Sequence, residues 1–169
     1  MQAREDFEPA DGAADERWMR EALGAAREAA RAGEVPVGAC VVAADGATLL
    51  AVAGNRTRTD CDPTAHAEVL ALREAARRVG NYRLTGAVVY STVEPCAMCA
   101  GALVQARVAR LVYGARDEKA GAVESVFRVC DASSLNHRMQ LTAGVLEADC
   151  RALMQEFFRE RRKVPRAED

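Results

Sequence analysis

Two short stretches of this chain carry residues able to do chemistry together. One reads Asp62-Pro63-Thr64-Ala65-His66-Ala67-Glu68, the other Glu94-Pro95-Cys96-Ala97-Met98-Cys99. Each has an acid, then a proline, then potential metal ligands at what reads as a helix start. Cys96 and Cys99 are spaced i and i+3, so both thiols project from one side of a helix N-terminus. The helix dipole and free N–H groups there favour thiolate, the form that binds metal. His66 adds one imidazole, and the set becomes Cys₂His. Three protein ligands leave a fourth position for water, the pattern of a catalytic zinc rather than a closed structural one. Zinc in such a site lowers the pKa of its water from about 15.7 towards 7. Glu68, two residues from a ligand, is placed to take that water's proton.

Each part has a plainer meaning by itself. His66 alone reads as a hydrogen-bonded helix histidine, and C-x-x-C as a redox pair or part of a structural zinc knuckle. Glu68 alone reads as a surface acid favoured by the helix dipole. The joint pattern is far more specific than its parts. The other histidine, His137, lies 38 residues beyond Cys99 in a loop-like stretch, and its spacing does not make it a fourth ligand. Met98 reads as core filler.

The elements that must hold these groups follow from periodicity. A helix begins at Asp15, with Trp18, Ala22, Ala25, Ala26 and Ala29 at helical spacing, and Gly33 stops it. VPVGACVVA and TLLAVAG, separated by an Asp-Gly turn, form a β-hairpin. Asp62 suits an N-cap and Pro63 a first helical position. Ala65, Val69, Leu72, Ala76 and Val79 make an apolar stripe on the helix that follows, and Gly80 ends it. Residues 87–93 and 108–115 are strands, and 95–106 is a helix with almost no polar face, hence buried. A short helical piece near 123–130, a weak strand near 138–142 and an amphipathic helix from about Leu146 to Lys163 complete the chain. This order predicts a mixed sheet with helices on both faces, its later β-α-β units pairing in parallel with right-handed crossovers.

Composition bounds the rest. The 169 residues suit one domain, 15–163, flanked by an acidic disordered tail (1–14) and a C-terminal tail (164–169). No apolar run approaches the roughly 18 to 20 residues of a membrane span, and the acidic N-terminus has no signal-peptide core, so the expected location is cytoplasmic. The net charge is −2, but residues 1–16 carry −5, which leaves a mildly basic body. Residues 151–166 are the most basic stretch, with six bases and two acids. Cys40, Cys61, Cys130 and Cys150 read as inert thiols in a reducing compartment.

HAE followed by PCAMC resembles the H-x-E…P-C-x-x-C signature of zinc-dependent nucleobase deaminases. VPVGA, DPTAHAEVLALREA, NYRL, EPCAMCAGA, VYGARDEKAGA, LNHR and FFRERR further resemble bacterial tRNA-specific adenosine deaminases, in the family's order over roughly residues 15–163. The resemblance implies an α/β, three-layer α-β-α fold like that of cytidine deaminases, with a mixed five-stranded sheet. It implies one Zn²⁺ per subunit on His66, Cys96 and Cys99, with Glu68 as catalytic proton shuttle. The implied reaction is hydrolytic deamination of adenosine to inosine at the wobble position of a tRNA anticodon stem-loop, in a homodimer.

The same resemblance gives Asn55, otherwise a turn residue, a contact to the target base. Val37 and the backbone around Ala67 are the expected pocket wall. Phe158, Arg159 and Arg162, otherwise the charged end of an amphipathic helix, become contacts to the RNA. Gly54 stands where family members often carry a bulkier residue, and nothing in the family pattern accounts for Cys61. A deaminase of a free nucleobase or nucleotide, of guanine or cytosine type, is the alternative enzyme. A zinc-stapled RNA-binding module without activity is the non-enzyme alternative, and Glu68 argues against it.

Overall fold

The structure is a computed structural model and describes residues 12–163. The outer parts of the two expected tails lie outside those residues. Helix α1 (Gly12–Arg31) leads into the hairpin β1 (Gly38–Val42) and β2 (Leu49–Gly54). Then come α2 (Ala67–Val79), β3 (Val88–Val93), α3 (Ala97–Ala106), β4 (Arg110–Ala115), β5 (Gln140–Ala143) and α4 (Glu147–Lys163). The five strands form one sheet in the order β2-β1-β3-β4-β5. β1 is antiparallel to both β2 and β3, while β3, β4 and β5 run parallel. The mixed sheet expected from the element order is therefore present.

The sheet is covered on both faces, because strand side chains alternate. Val41, Val89, Leu111 and Tyr113 pack with Ala71, Leu72, Ala100 and Leu103 of α2 and α3. Cys40, Val42, Val88, Tyr90 and Val112 pack on the other face with Trp18, Met19, Leu23 of α1 and Cys150 of α4. β3 and β4 are buried at every position, as strands covered on both faces must be. One buried polar group spans that second layer. Arg110 donates to both oxygens of Asp15 at 2.9 and 2.6 Å, and Tyr90 donates to Asp15 Oδ1 at 2.9 Å. This pins α1 to the middle of the sheet and draws Asp15 inside, so α1 starts at Gly12, three residues before the expected Asp15.

Three further expectations need correction. Helix α2 begins at Ala67, with His66 as N-cap, and not at Pro63. Asp62 instead forms a local turn, its Oδ1 accepting the N–H and the hydroxyl of Thr64, both at 2.8 Å. Asp62 thus uses its capping capacity four residues before the helix. The apolar stripe is broader than expected: Ala65, Val69 and Leu72 are buried as predicted, Ala67, Ala71 and Ala75 are buried beside them, and Val79 is 48% exposed. Second, no helix forms over 123–130: residues 122–125 are a turn and the rest is irregular, because a side chain takes the first three N–H groups of the stretch. The Glu94 carboxyl accepts the N–H of Val123, Glu124 and Ser125 at 3.2, 2.8 and 2.9 Å. Third, Met98 is 36% exposed and does not fill the core. Gly80 ends α2 as expected, in left-handed conformation with φ 72°, its N–H bonded to Ala76 and Arg77 carbonyls.

Candidate active site

Two helix starts at the same edge of the sheet build the site. His66 and Cys96 are both N-cap residues in extended backbone, φ −75° and −72°, and neither caps its helix through its side chain. Their side chains are free to turn towards each other. His66 Nδ1 lies 3.6 Å from Cys96 Sγ and 3.5 Å from Cys99 Sγ. Among the described residues, these three form the one group of His, Cys and acid side chains whose donor atoms could share a metal ion, all lying within 4.8 Å of one another.

The donor set fits zinc. Tetrahedral coordination with Zn–N near 2.05 Å and Zn–S near 2.3 Å places nitrogen and sulfur about 3.5 Å apart. The two observed N···S separations match that without movement. The thiols are already unequal. Hydrogen bonds from Cys99 and then from His66 hold Cys96 down at about 3, which favours its thiolate. Cys99 is pushed far up, first by donating to Cys96 and then by burial. The same Cys96 hydrogen bond raises His66.

Glu68, second residue of α2, is only 3% exposed. Burial raises its pKa. Its Oε2 lies 3.5 Å from Cys99 Sγ and its Oε1 3.3 Å from the Ser91 hydroxyl. A carboxyl held beside three metal ligands, with water excluded around it, can carry a proton between two atoms of a substrate bound there.

Because His66 does not cap α2, another residue does. Asn55 Oδ1 accepts the N–H of Ala67 at 2.9 Å, and Asn55 N–H donates to Val37 O at 3.0 Å. The expected pocket residues Val37, Asn55 and Ala67 are therefore joined by hydrogen bonds. His137 lies elsewhere, its Nε2 2.7 Å from Val108 O. Cys40, Cys130 and Cys150 are buried, and Cys61 is exposed.

Two buried glutamates, which periodicity had no means to single out, organise the loops beside these residues. Glu34 accepts the N–H groups of Arg58 and Thr59 at 3.0 and 2.7 Å and the hydroxyl of Thr59 at 2.8 Å. Glu94 accepts the N–H of Asp117 at 3.1 Å and the hydroxyl of Ser125, besides the three turn N–H groups. Gly121 sits against that carboxyl so closely that a Cβ would collide with it. Ala122 N–H then bonds Pro95 O at 2.8 Å, which fastens the turn to the residue before Cys96.

An open groove of about 1760 Å³ runs between residues 115–119 and α4. Arg58, Arg116, Lys119, Arg151, Arg161 and Arg162 line it, opposed by Asp117 and Glu118, with Phe158 and Met154 among the apolar lining. Phe158 and Arg162 are thus brought to one basic surface, whereas Arg159 does not line it. Arg161 is occupied in part by Gly33 O and lies 4.4 Å over the Phe157 ring.

Known proteins resemble this chain in sequence and fold. The family model of MafB19-like deaminases matches residues 13–162. The tRNA-specific adenosine deaminase of Haemophilus influenzae is 44% identical over 154 residues, covering 91% of this chain and 88% of that protein. The tRNA-specific adenosine deaminase of Agrobacterium fabrum is 45% identical, covering 86% and 94%. This chain belongs to the tRNA-specific adenosine deaminase family. A solved structure from a study of A-to-I editing by tRNA deaminases at the wobble position of transfer RNA superposes with a TM-score of 0.78 at 44% identity, covering 81% of this deaminase and 98% of that chain. The protein NE0047 in complex with 2,6-diaminopurine is more distant, with 27% identity and a TM-score of 0.70 over 85% of this chain and 80% of its own. The deaminase thus has the cytidine-deaminase-like α/β fold expected from its motifs.

Proposed function

We propose that this enzyme hydrolytically deaminates adenosine to inosine at the wobble position of a tRNA anticodon loop. One observation carries the chemistry: His66, Cys96 and Cys99 converge at metal-binding separations beside the buried carboxyl of Glu68. Their donor set is that of one zinc per subunit with a fourth position open. When bound, zinc supplies an acidified water. Glu68 takes a proton from the attacking water and delivers it to the purine ring nitrogen next to C6. The same carboxyl then takes the second proton from the hydroxyl added at C6 and passes it to the amino group; the C6–N bond breaks, ammonia leaves, and a C6 carbonyl remains.

Asn55 holds the base. Its oxygen is engaged by Ala67 N–H, so the NH₂ end is left to donate to the purine. Val37 and the Ala67 backbone form the wall around it. The basic groove with Phe158 and Arg162 supports an RNA substrate, because arginine and lysine pair with phosphates and aromatic faces stack bases. Arg159, exposed one residue on, serves the RNA at longer range. An unpaired loop base is splayed out at low cost, which suits an anticodon loop. No described helix is long and apolar enough to cross a membrane, and a tRNA substrate supports a cytoplasmic location.

A homodimer completes the proposal. Met98, Val126, Phe127 and Leu135 are exposed apolar side chains, and Met98 stands between the two cysteine ligands. A partner covering them would put the active site at the subunit interface.

The test is incubation with transcribed tRNA and mass-spectrometric detection of inosine, beside ammonia release from free guanine and cytosine. Inosine at the wobble position is expected. Ammonia from a free base alone would instead support the nucleobase deaminase reading. Bound zinc with no turnover on any substrate would support the binding module.

A further inference from the structure

We propose that Ser91 is a positioning residue for deamination, holding one edge of the Glu68 carboxyl so that the other edge faces the metal ligands. This rests on the reading of Glu68 as proton carrier. Ser91 lies in the centre of β3, 0% exposed, paired with Ala39 on β1 and Tyr113 on β4. It shares a sheet face with Val89, the face that packs against α2 and α3, and so points at the start of α2. That face is otherwise lined by apolar side chains, and a hydroxyl there costs stability unless bonded.

Ser91 satisfies its own need without Glu68. Its hydroxyl donates to Val93 O at 2.7 Å, within its own strand. The further approach to Glu68 Oε1, at 3.3 Å, serves the glutamate. Among the described residues, Ser91 is the side chain that hydrogen-bonds Oε1, while Oε2 faces Cys99. A glutamate side chain has three torsions to fix, and a proton carrier must be held to within fractions of an ångström of its substrate. Here the strand supplies one anchor and the ligand side the working edge. The hydroxyl has one proton: while it points to Val93 O, Ser91 accepts from a protonated Glu68, and when it turns to Oε1, Ser91 donates to the carboxylate.

The positioning role predicts a loss in rate without a loss in binding. Ser91→Ala is compared with the unsubstituted protein for inosine formation on a transcribed anticodon stem-loop, with zinc content and melting temperature measured alongside. We expect kcat to fall on the order of tenfold, with KM within about twofold, zinc unchanged and the protein fully folded at the assay temperature. Ser91→Thr keeps the hydroxyl and recovers the rate. A Ser91→Ala kcat within twofold of the unsubstituted value overturns the proposal. So does a loss in rate matched by loss of zinc or by an equal rise in KM, which marks a merely structural serine. If the unsubstituted, zinc-loaded protein makes no inosine, the functional reading itself fails. An active parent with an equally active Ser91→Ala removes only the role of Ser91.

Discussion

Asn55 Oδ1 accepts the backbone N–H of Ala67 at 2.9 Å, so the residue that caps α2 comes from the end of β2 and not from the helix's own N-cap. The consequence is a division of labour. His66 occupies the N-cap position but keeps its imidazole for metal, and Asn55 satisfies the N–H that His66 leaves open. The helix start therefore depends on the same amide that the proposed base contact would use.

That division separates two effects by substitution. Asn55→Ala removes both, and thermal unfolding should show a loss of about 1 kcal/mol together with a large drop in kcat/KM. Asn55→Asp keeps an oxygen for Ala67 N–H but has no NH₂ group. It should recover most of the melting temperature and little of the activity. Recovery of both would refute a substrate contact by the Asn55 amide.

Removal of metal should abolish activity and zinc should restore it. Zinc content, read by elemental analysis, should be near one per chain and fall in His66→Ala, Cys96→Ser and Cys99→Ser. Cys99 is a thiol before metal enters, so zinc loading must release a proton, visible with an indicator dye in weak buffer.

Glu68→Ala should hold zinc and fold normally, because Glu68 is not a ligand. Loss of the proton shuttle should lower kcat by about 10² to 10⁴. Substantial turnover by this variant, measured as inosine, would reject the proposed mechanism.

Acid should loosen the loops around the site through Glu34 and Glu94. Burial acts to raise both carboxyls, but hydrogen bonds outweigh it and leave both below their ordinary value. For Glu34 they come from Thr59, Arg58 and Thr57, and for Glu94 from Ser125, Glu124 and Asp117. A folded pKa below the unfolded one contributes stability that is full above the unfolded pKa, about 4.3. That stability is lost as pH falls through the folded value. Melting temperature should therefore drop as pH is lowered from about 5 to 3. Glu94→Gln should melt lower at pH 7 yet lose less on acidification.

RNA affinity should depend on salt through the groove. Replacing Arg151 or Arg162 with Ala should reduce the slope of log K against log salt by about 0.7 to 0.9 for each phosphate that the arginine neutralises. An unchanged slope in both variants would move the RNA elsewhere.

Much of the site is legible in the chain because its chemistry is local. His66-Ala67-Glu68 and Cys96-x-x-Cys99 together point to candidate roles that neither motif gives alone, and the strands and helices around them follow from apolar periodicity. Local rules misplace the details where a distant side chain competes. Asp62 and Pro63 read as a helix start, yet Asp62 spends its oxygen on Thr64 and the cap comes from Asn55. Residues 123–130 read as a short helix, yet Glu94 takes the first three N–H groups and no helix forms. Ser91 reads as one polar residue in a strand, and only its face of the sheet gives it Glu68 as a neighbour.

By itself, the sequence determined the candidate ligand types, the candidate proton carrier and the alternation of elements, since each is encoded within a few residues. Tertiary structure alone decided that two helix starts 30 residues apart, at His66 and Cys96, meet with nitrogen and sulfur 3.6 Å apart. It also decided which buried carboxyl lies beside the candidate metal ligands and which two hold loops. Glu34, Glu68 and Glu94 are the same residue type and all are buried. They differ in the partners that folding delivers: N–H groups and hydroxyls from loops surround Glu34 and Glu94, whereas Glu68 faces a thiol and a serine. Such partners lie 23 to 31 residues away in the chain, and only a packed sheet and its covering helices bring them within hydrogen-bonding reach.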